Sequence, residues 1–205
     1  MALVGTKPTH IDQLPLVLQL DVSGNPGRWI TFQDSCYYYS KELVAWSMGS
    51  IDLTIFGGTS SLTGKQSELT MNTIIAIKGK INEKQFNRIS RVPLTNRTLF
   101  RGDHQICGYC GRHYKVSELT RDHIIPQSRN GKNTWMNLVT ACQPCNKHKA
   151  DRTPDQANMP LLYVPYAPSR SEYLILQNRR ILADQMEFLM KQVPKESRLY
   201  NLQRT

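Results

Sequence analysis

Two Cys-x-x-Cys pairs offer the clearest chemistry in this chain: Cys107 with Cys110, and Cys142 with Cys145. Each pair presents two thiolates at a spacing that one tetrahedral zinc ion accepts. The pairs are separated by 31 residues, whereas a simple zinc ribbon has about 15–20. Because four thiolates leave no position for water, we predict a structural zinc that fixes both ends of a functional insert.

Side chains suited to hydrolysis lie within or beside this insert: Asp122, His123, Asn137 and, directly after the last cysteine, Asn146. Carboxylate and amide oxygens are ligands for a hard divalent ion. An imidazole, whose unperturbed pKa is near ~6.5, can take a proton from water at neutral pH. Together with the zinc frame, these residues indicate a metal-dependent nuclease centre.

The alternation of Leu119 to Ile124 predicts a strand, and this raises a geometric question. Neighbours on a strand point to opposite faces, so regular geometry cannot direct Asp122 and His123 to one ligand. Either a distortion near Pro126 or a metal lying to one side would resolve the conflict. The sequence leaves both open.

Positive charge is concentrated in the same segment. The chain has 205 residues and a formal net charge of +10. Residues 96–152 hold ten Lys or Arg against four Asp or Glu, a net of +6. This favours a polyanionic partner through counterion release from phosphates, and nucleic acid is the expected one. DNA is the form we expect, but the sequence does not distinguish it from RNA. The candidate nucleic-acid contacts are Arg121, Arg129, Lys132, Lys147, Lys149 and Arg152.

The ordered motif resembles the HNH endonuclease family, which has a ββα-metal fold. The likeness covers about residues 97–152 and rests on Asp122-His123-Ile124-Ile125-Pro126, Ser128, Gly131, Asn137-Leu138, Cys142, Cys145-Asn146 and Lys149. Residues 15–79 and Arg152-Thr153-Pro154 also resemble a bacterial group of stand-alone HNH proteins.

The resemblance implies a role for each matched residue. His123 corresponds to the general base, and Asp122 and Asn146 to the ligands of a catalytic Mg²⁺ or Mn²⁺. Asn137 corresponds to the residue that orients the loop carrying the histidine. Lys149 lies three residues after Asn146, so a helix beginning there would let it meet a phosphate oxygen.

Two departures from the family pattern are visible. Asn130-Gly131 stands where the family often has Gly-Gly, and Asn tolerates the left-handed conformation that such a turn requires. Ala150 stands where a glycine often follows the lysine, and we expect it to lengthen the helix slightly.

The segment before the cysteines predicts a small α/β unit. Turn-forming residues bound short apolar runs, and a helix is expected from an N-cap at Thr31, with Asp34 three positions on, to about Ser47. The predicted strands are Leu16–Leu20, a short strand at Trp29-Ile30, Ile51–Phe56 and Thr73–Ile77.

After Pro154 the chain is expected to be extended and Pro-rich, and then to form one long amphipathic helix from Ser171 to Lys191. We therefore predict an α+β protein with three segments: an N-terminal unit at 1–95, the nuclease domain at 96–155, and the extended segment with its helix at 156–205. The N-terminal unit or the helix could bind a second copy or an effector protein.

Two alternative functions require fewer of these residues than a nuclease does. A zinc-stabilised nucleic-acid-binding module without cleavage needs only the basic residues, and a structural adaptor needs only the zinc frame. The intact set of Asp122, His123 and Asn146 favours the nuclease. With no apolar run behind a basic start, no membrane span and paired cysteines typical of metal sites, a cytoplasmic protein is expected.

Overall fold

The computed structural model describes residues 14–79, 92–178 and 180–200. The chain divides into two compact units. The first unit comprises residues 1–91 and 178–193, and the second comprises 92–177 and 194–205. The segment predicted at 156–205 therefore contributes to both units. Residues 1–13 and 80–91, which fall in the predicted N-terminal unit, lie outside the described residues.

The described part of the first unit contains a four-stranded sheet in the order β2-β1-β4-β3. Strand β1 (Val17–Leu20) pairs antiparallel with β2 (Pro26–Ile30) and parallel with β4 (Gln66–Ile77). Strand β3 (Val44–Thr59) pairs antiparallel with β4. The predicted strands are confirmed, although the last two lie within longer strands.

Helix α1 (Phe32–Ser40) begins as predicted and ends early. Thr31 and Asp34 form a capping box at its N-terminus. The expected extension to Ser47 is wrong, because Glu42 has a φ of 53°, a left-handed conformation that stops the helix. The chain enters β3 at Val44 instead, and Gly49, expected near the helix end, lies in an irregular stretch of the β3–β4 pairing.

The predicted single helix from Ser171 to Lys191 is also wrong. Two helices form, α5 (Arg170–Gln177) and α6 (Ala183–Met190), and they belong to different units. The Asn178 side chain accepts from the Arg180 N–H and donates to the Arg180 carbonyl, which gives the backbone a turn in place of a helix. No helix in the described ranges has the length and apolar character needed to cross a membrane.

Helix α6 packs on the sheet of the first unit. Gln185 is fully buried, and its amide donates to the carbonyls of Leu16 and Thr73 at 2.8 and 2.9 Å. Thr73 also donates to Asp184 at 3.0 Å. The residues of the main apolar cluster in this unit are Val17, Ile30, Phe32, Met71 and Ile75. The C-terminal part of the chain therefore contributes helix α6 to the first unit.

The second unit has the ββα arrangement. It contains α2 (Asn96–Gly102), an antiparallel pair formed by β5 (Leu119–His123) and β6 (Leu138–Cys142), then α3 (Gln143–Lys149) and α4 (Pro154–Ala157). Single turns of 3₁₀ helix lie at Val116–Glu118, Gln127–Arg129 and Trp135–Asn137. Together with the four-stranded sheet, this confirms the α+β class.

The returning segment after residue 193 is anchored in the second unit by Arg198. Its guanidinium forms an ion pair with the buried Asp103 and lies over the rings of Tyr163 and Tyr166, at 4.2 and 4.6 Å from their centroids. Asp103 also accepts from the N–H of Thr140, in β6, at 3.0 Å. Arg198 therefore supports a carboxylate that in turn holds β6.

We expect Arg198→Met to lower the free energy of unfolding of the second unit by about 2–4 kcal/mol, because it leaves Asp103 buried without its cation. Urea unfolding of the zinc-loaded protein measures this. Lys191→Ala is the matched control: Lys191 pairs with Glu187 on an exposed helical surface, where such pairs contribute only about 0.3–0.5 kcal/mol. Equal effects of the two substitutions would contradict a buried anchor.

Candidate metal centre and active site

The four cysteines converge. The Sγ atoms of Cys107, Cys110, Cys142 and Cys145 all lie within 4.8 Å of one another. A tetrahedral ion with Zn–S bonds of about 2.3 Å needs sulfurs separated by roughly 3.8 Å, so this cluster fits zinc. In the described part of the chain, it is the one group of three or more His, Cys, Asp or Glu side chains close enough for a metal.

Local sequence explains how each pair is shaped. Gly111 has a φ of 70° and donates its N–H to the Cys107 carbonyl at 2.9 Å, which closes the first turn. Gly108 donates to the Thr140 carbonyl at 2.8 Å and so ties that turn to β6. The second pair lies where β6 ends and α3 begins, with Pro144 in the first helical turn.

The thiols differ in their readiness to ionise. Burial raises the pKa of Cys107. At Cys110, partial burial acts to raise the pKa, but hydrogen bonds from the Arg112 backbone and the side chains of Tyr114 and Cys107 lower it to about 7. Since zinc binds thiolates, Cys110 supplies its ligand form more readily than Cys107 near neutral pH.

Asp122 is buried and held from two sides. It is only 6 % exposed, and its Oδ2 accepts a short hydrogen bond from the Tyr109 hydroxyl. The Lys149 Nζ lies 3.3 Å from Oδ1 and 3.1 Å from Oδ2. Burial, and then the bond to Asp122, raise the pKa of Tyr109, so the phenol remains a donor.

Lys149 does not occupy the position that we expected. Its side chain is fully buried, and its Nζ donates to the His123 carbonyl at 2.7 Å as well as pairing with Asp122. The expected phosphate contact therefore disagrees with the structure. The lysine faces inward because it neutralises a carboxylate that would otherwise be buried alone.

Asn137 clamps the loop that follows β5. Its Oδ1 accepts from the Ile125 N–H at 2.8 Å, and its Nδ2 donates to the carbonyls of Ile125 and Lys132 at 3.0 and 2.9 Å. Its own carbonyl accepts from the Ile124 N–H at 3.0 Å. This geometry suits the loop-orienting role that the resemblance implied.

The turn within this loop has the conformation predicted for it. Asn130 has a φ of 63°, the left-handed conformation that asparagine tolerates. A Cβ on Gly131 would lie 1.7 Å from the Ile125 carbonyl oxygen, so only glycine fits there. Ala150, in contrast, does not lengthen α3: the helix ends at Lys149, and Ala150 has a φ of 52°.

Helix α3 packs against the face of β5 that carries Thr120 and Asp122. Asn146 donates its Nδ2 to the Thr120 hydroxyl at 2.8 Å, and Lys149, one turn later, reaches Asp122. Because the β5–β6 ladder is regular through His123, which pairs with Leu138, strand alternation directs the imidazole to the other face. The ladder is therefore undistorted up to His123, and the two alternatives, a distortion near Pro126 and a metal lying to one side, stay open.

His123 lies at the end of β5 with one nitrogen unsatisfied. Its Nε2 is shielded from solvent and has no hydrogen-bond partner among the described residues. Burial, followed by the nearby charge of Arg121, lowers the pKa of the imidazole, while Asp122 acts in the opposite direction. A buried nitrogen without a partner is costly, so this atom is available to a ligand that enters the site.

The candidate nucleic-acid contacts differ in exposure. Arg129, Lys132 and Lys147 are exposed, and Arg121 and Arg152 are half-buried. Arg129 donates to Gln156 at 2.6 Å, and Arg152 donates to the carbonyls of His148 and Lys149 at the end of α3. Arg152 therefore caps a helix as well as adding positive charge to this surface.

Sequence reasoning missed two residues that the structure places in the site. Tyr109 occupies a variable position between two zinc ligands, and Thr120 lies two residues before Asp122. Strand alternation could have placed Thr120 beside Asp122. No comparable pattern in the sequence indicates that Tyr109 reaches that carboxylate.

Residues 107–162 match the sequence model of the HNH endonuclease family. This segment is therefore similar to HNH endonucleases, and we call it the HNH domain. The match includes both cysteine pairs, the β5–β6 pair, α3 and α4, and it extends ten residues beyond the end of the resemblance noted from the motif. No protein of curated function matches the chain. The family, rather than any individual relative, therefore guides the interpretation of the HNH domain.

We expect Cys107→Ser to lose zinc and unfold the HNH domain. Structural zinc contributes about 10–16 kcal/mol in small domains, and whole proteins are stable by only about 5–15 kcal/mol. Metal analysis and thermal unfolding measure the result. Cys36→Ser is the control, since that cysteine lies outside the cluster. A Cys107 variant with wild-type zinc content and melting would contradict a structural ion.

Proposed function

We propose that this protein is a metal-dependent endonuclease that hydrolyses phosphodiester bonds in nucleic acid, with DNA as the favoured substrate. One observation carries the proposal. In the family-matched segment, β5 ends with His123, whose Nε2 has no hydrogen-bond partner in the described part of the chain, and Asn137 holds the following loop. A general base needs a free nitrogen on a rigid support, and this arrangement supplies both.

Asp122 and Asn146 would hold the catalytic Mg²⁺ or Mn²⁺. A carboxylate has about four acceptor positions. Tyr109 and Lys149 contact Oδ2, and Lys149 also contacts Oδ1, so acceptor capacity remains on Oδ1. Asn146 donates through Nδ2 and retains its Oδ1. Oxygen donors of this kind fit a hard divalent ion, which would stabilise negative charge on the phosphate and the leaving oxygen.

In this proposal His123 takes a proton from a water molecule, and the water oxygen attacks phosphorus in line with the leaving 3′ oxygen. The new P–O bond forms as the P–O3′ bond breaks, and the leaving 3′ oxygen takes a proton from solvent, which yields a 5′-phosphate and a 3′-hydroxyl. Asn137 holds the loop and transfers no proton. Exposed Arg129, Lys132 and Lys147 would contact backbone phosphates.

A nucleic-acid-binding module without cleavage is the second candidate, and the buried ion pair favours it. Lys149 already neutralises Asp122, which weakens the attraction of that carboxylate for a further cation. A cytoplasmic location, and a second copy or effector protein bound through the first unit or a C-terminal helix, stay predictions.

We expect His123→Ala to abolish nicking of plasmid DNA in Mg²⁺ or Mn²⁺, because general-base catalysis typically contributes 10²–10⁴-fold. Far-UV CD and zinc content should remain those of the wild type. His113→Ala, an exposed histidine outside β5 and α3, is the control and should cleave normally. Wild-type protein that binds DNA but cleaves neither DNA nor RNA in either metal would leave the binding module as the better assignment.

Lys132→Ala should weaken binding to all duplex sequences alike and reduce the slope of log K against log[salt] by about 1. Fluorescence anisotropy with two unrelated duplexes, measured over a salt series, tests both statements. Lys191→Ala removes an equal charge from an exposed pair in the first unit and should leave the slope unchanged. A sequence-dependent loss for Lys132→Ala would argue against a phosphate contact.

A further inference from the structure

Tyr109 connects the zinc cluster directly to Asp122. It lies between Cys107 and Cys110, its ring is buried among Val139 and Ala141, and its hydroxyl donates to Asp122 Oδ2. The turn that carries it is closed by the hydrogen bond from Gly111 to Cys107. The tyrosine therefore has little freedom to move independently of the first cysteine pair.

The second cysteine pair reaches the same carboxylate through Lys149. This residue follows Cys145 by four positions on α3, so one helical turn separates a zinc ligand from the ammonium group that contacts Asp122. Both halves of the zinc frame thus place a donor on Asp122. Together, the Tyr109 hydroxyl and the Lys149 ammonium group fix the plane of the carboxylate. The remaining acceptor capacity then lies on Oδ1.

We infer that Tyr109 is a positioning residue, which transmits the geometry of the zinc site to Asp122 and so sets the affinity of the catalytic divalent ion. This rests on the proposed function, in which Asp122 is a ligand of that ion. Hydrogen-bonding partners of ligating carboxylates typically change metal affinity or activity by 10–100-fold when they are lost. A phenol that only filled the core would need its ring and not its hydroxyl.

Tyr109→Phe separates these two roles because it removes the hydroxyl and keeps the ring. Tyr37→Phe is the control: its exposed ring lies on α1 in the first unit, where it contacts Tyr38 and no residue of the cysteine cluster. The zinc-loaded full-length protein is used throughout. Mn²⁺ affinity is measured by calorimetry, zinc content by elemental analysis, and cleavage by plasmid nicking across a Mn²⁺ series.

Tyr109→Phe should retain its zinc, bind Mn²⁺ about 10-fold more weakly and require correspondingly more Mn²⁺ for half-maximal nicking. Tyr37→Phe should bind Mn²⁺ as the wild type does. Zinc-loaded Tyr109→Phe with unchanged Mn²⁺ affinity overturns the inference, even if the wild type cleaves DNA. Wild-type protein that binds Mn²⁺ without cleaving refutes the nuclease, while the comparison of affinities still decides the role of Tyr109.

A measurement on the wild type covers the case in which Tyr109→Phe loses zinc. With ¹³Cζ-labelled tyrosine, Mg²⁺ should shift the Tyr109 resonance and leave that of Tyr37 in place. A Tyr109 resonance that does not respond at saturating Mg²⁺ overturns the inference. A wild-type protein that binds neither Mn²⁺ nor Mg²⁺ overturns both this inference and the metal-dependent mechanism.

Discussion

The four-sulfur cluster is the constraint on which the second unit depends. It joins a turn at residues 107–111 to the junction of β6 and α3, across an insert that has only a two-stranded ladder and short turns of its own. A two-stranded pair is marginal in water. A metal ion held by the four thiolates would add stability that the small core of this region lacks, because the free energy of binding is also free energy of folding.

The buried pair of Asp122 and Lys149 is the second physical determinant of the site. Burying two charges is costly unless hydrogen bonds also satisfy the carboxylate lone pairs and the ammonium protons that the ion pair does not use. Here Tyr109 donates to the carboxylate, and the His123 carbonyl accepts from the ammonium group. In this network Lys149 stabilises the buried carboxylate next to His123. The pairing with Asp122 also explains why Lys149, which the sequence predicted to contact phosphate from one face of a helix, is directed inward.

Local sequence signals predicted the structure correctly where ligand chemistry or turn geometry allows only one arrangement. The cysteine spacing predicted the cluster, Thr31 and Asp34 predicted the start of α1, and Asn130-Gly131 predicted the left-handed turn. Predictions failed where an apolar pattern suited two structures. Val44 and Trp46 fall within the helix expected to run to about Ser47, yet they pair with Ile77 and Ala76 of β4. Tertiary pairing, which periodicity does not encode, decided that case.

The family match ends at residue 162, but the folded unit that contains it does not. Asp103, before the match, accepts from Thr140 in β6 and binds Arg198, far beyond the match. Thr140 lies two residues before the zinc ligand Cys142, and its carbonyl accepts from Gly108 in the opposite cysteine pair. The segment that returns after residue 193 thus stabilises β6, the strand in which Thr140 contacts both Asp103 and Gly108. Because this support comes from residues outside the motif, the stability of the metal centre is a property of the whole second unit.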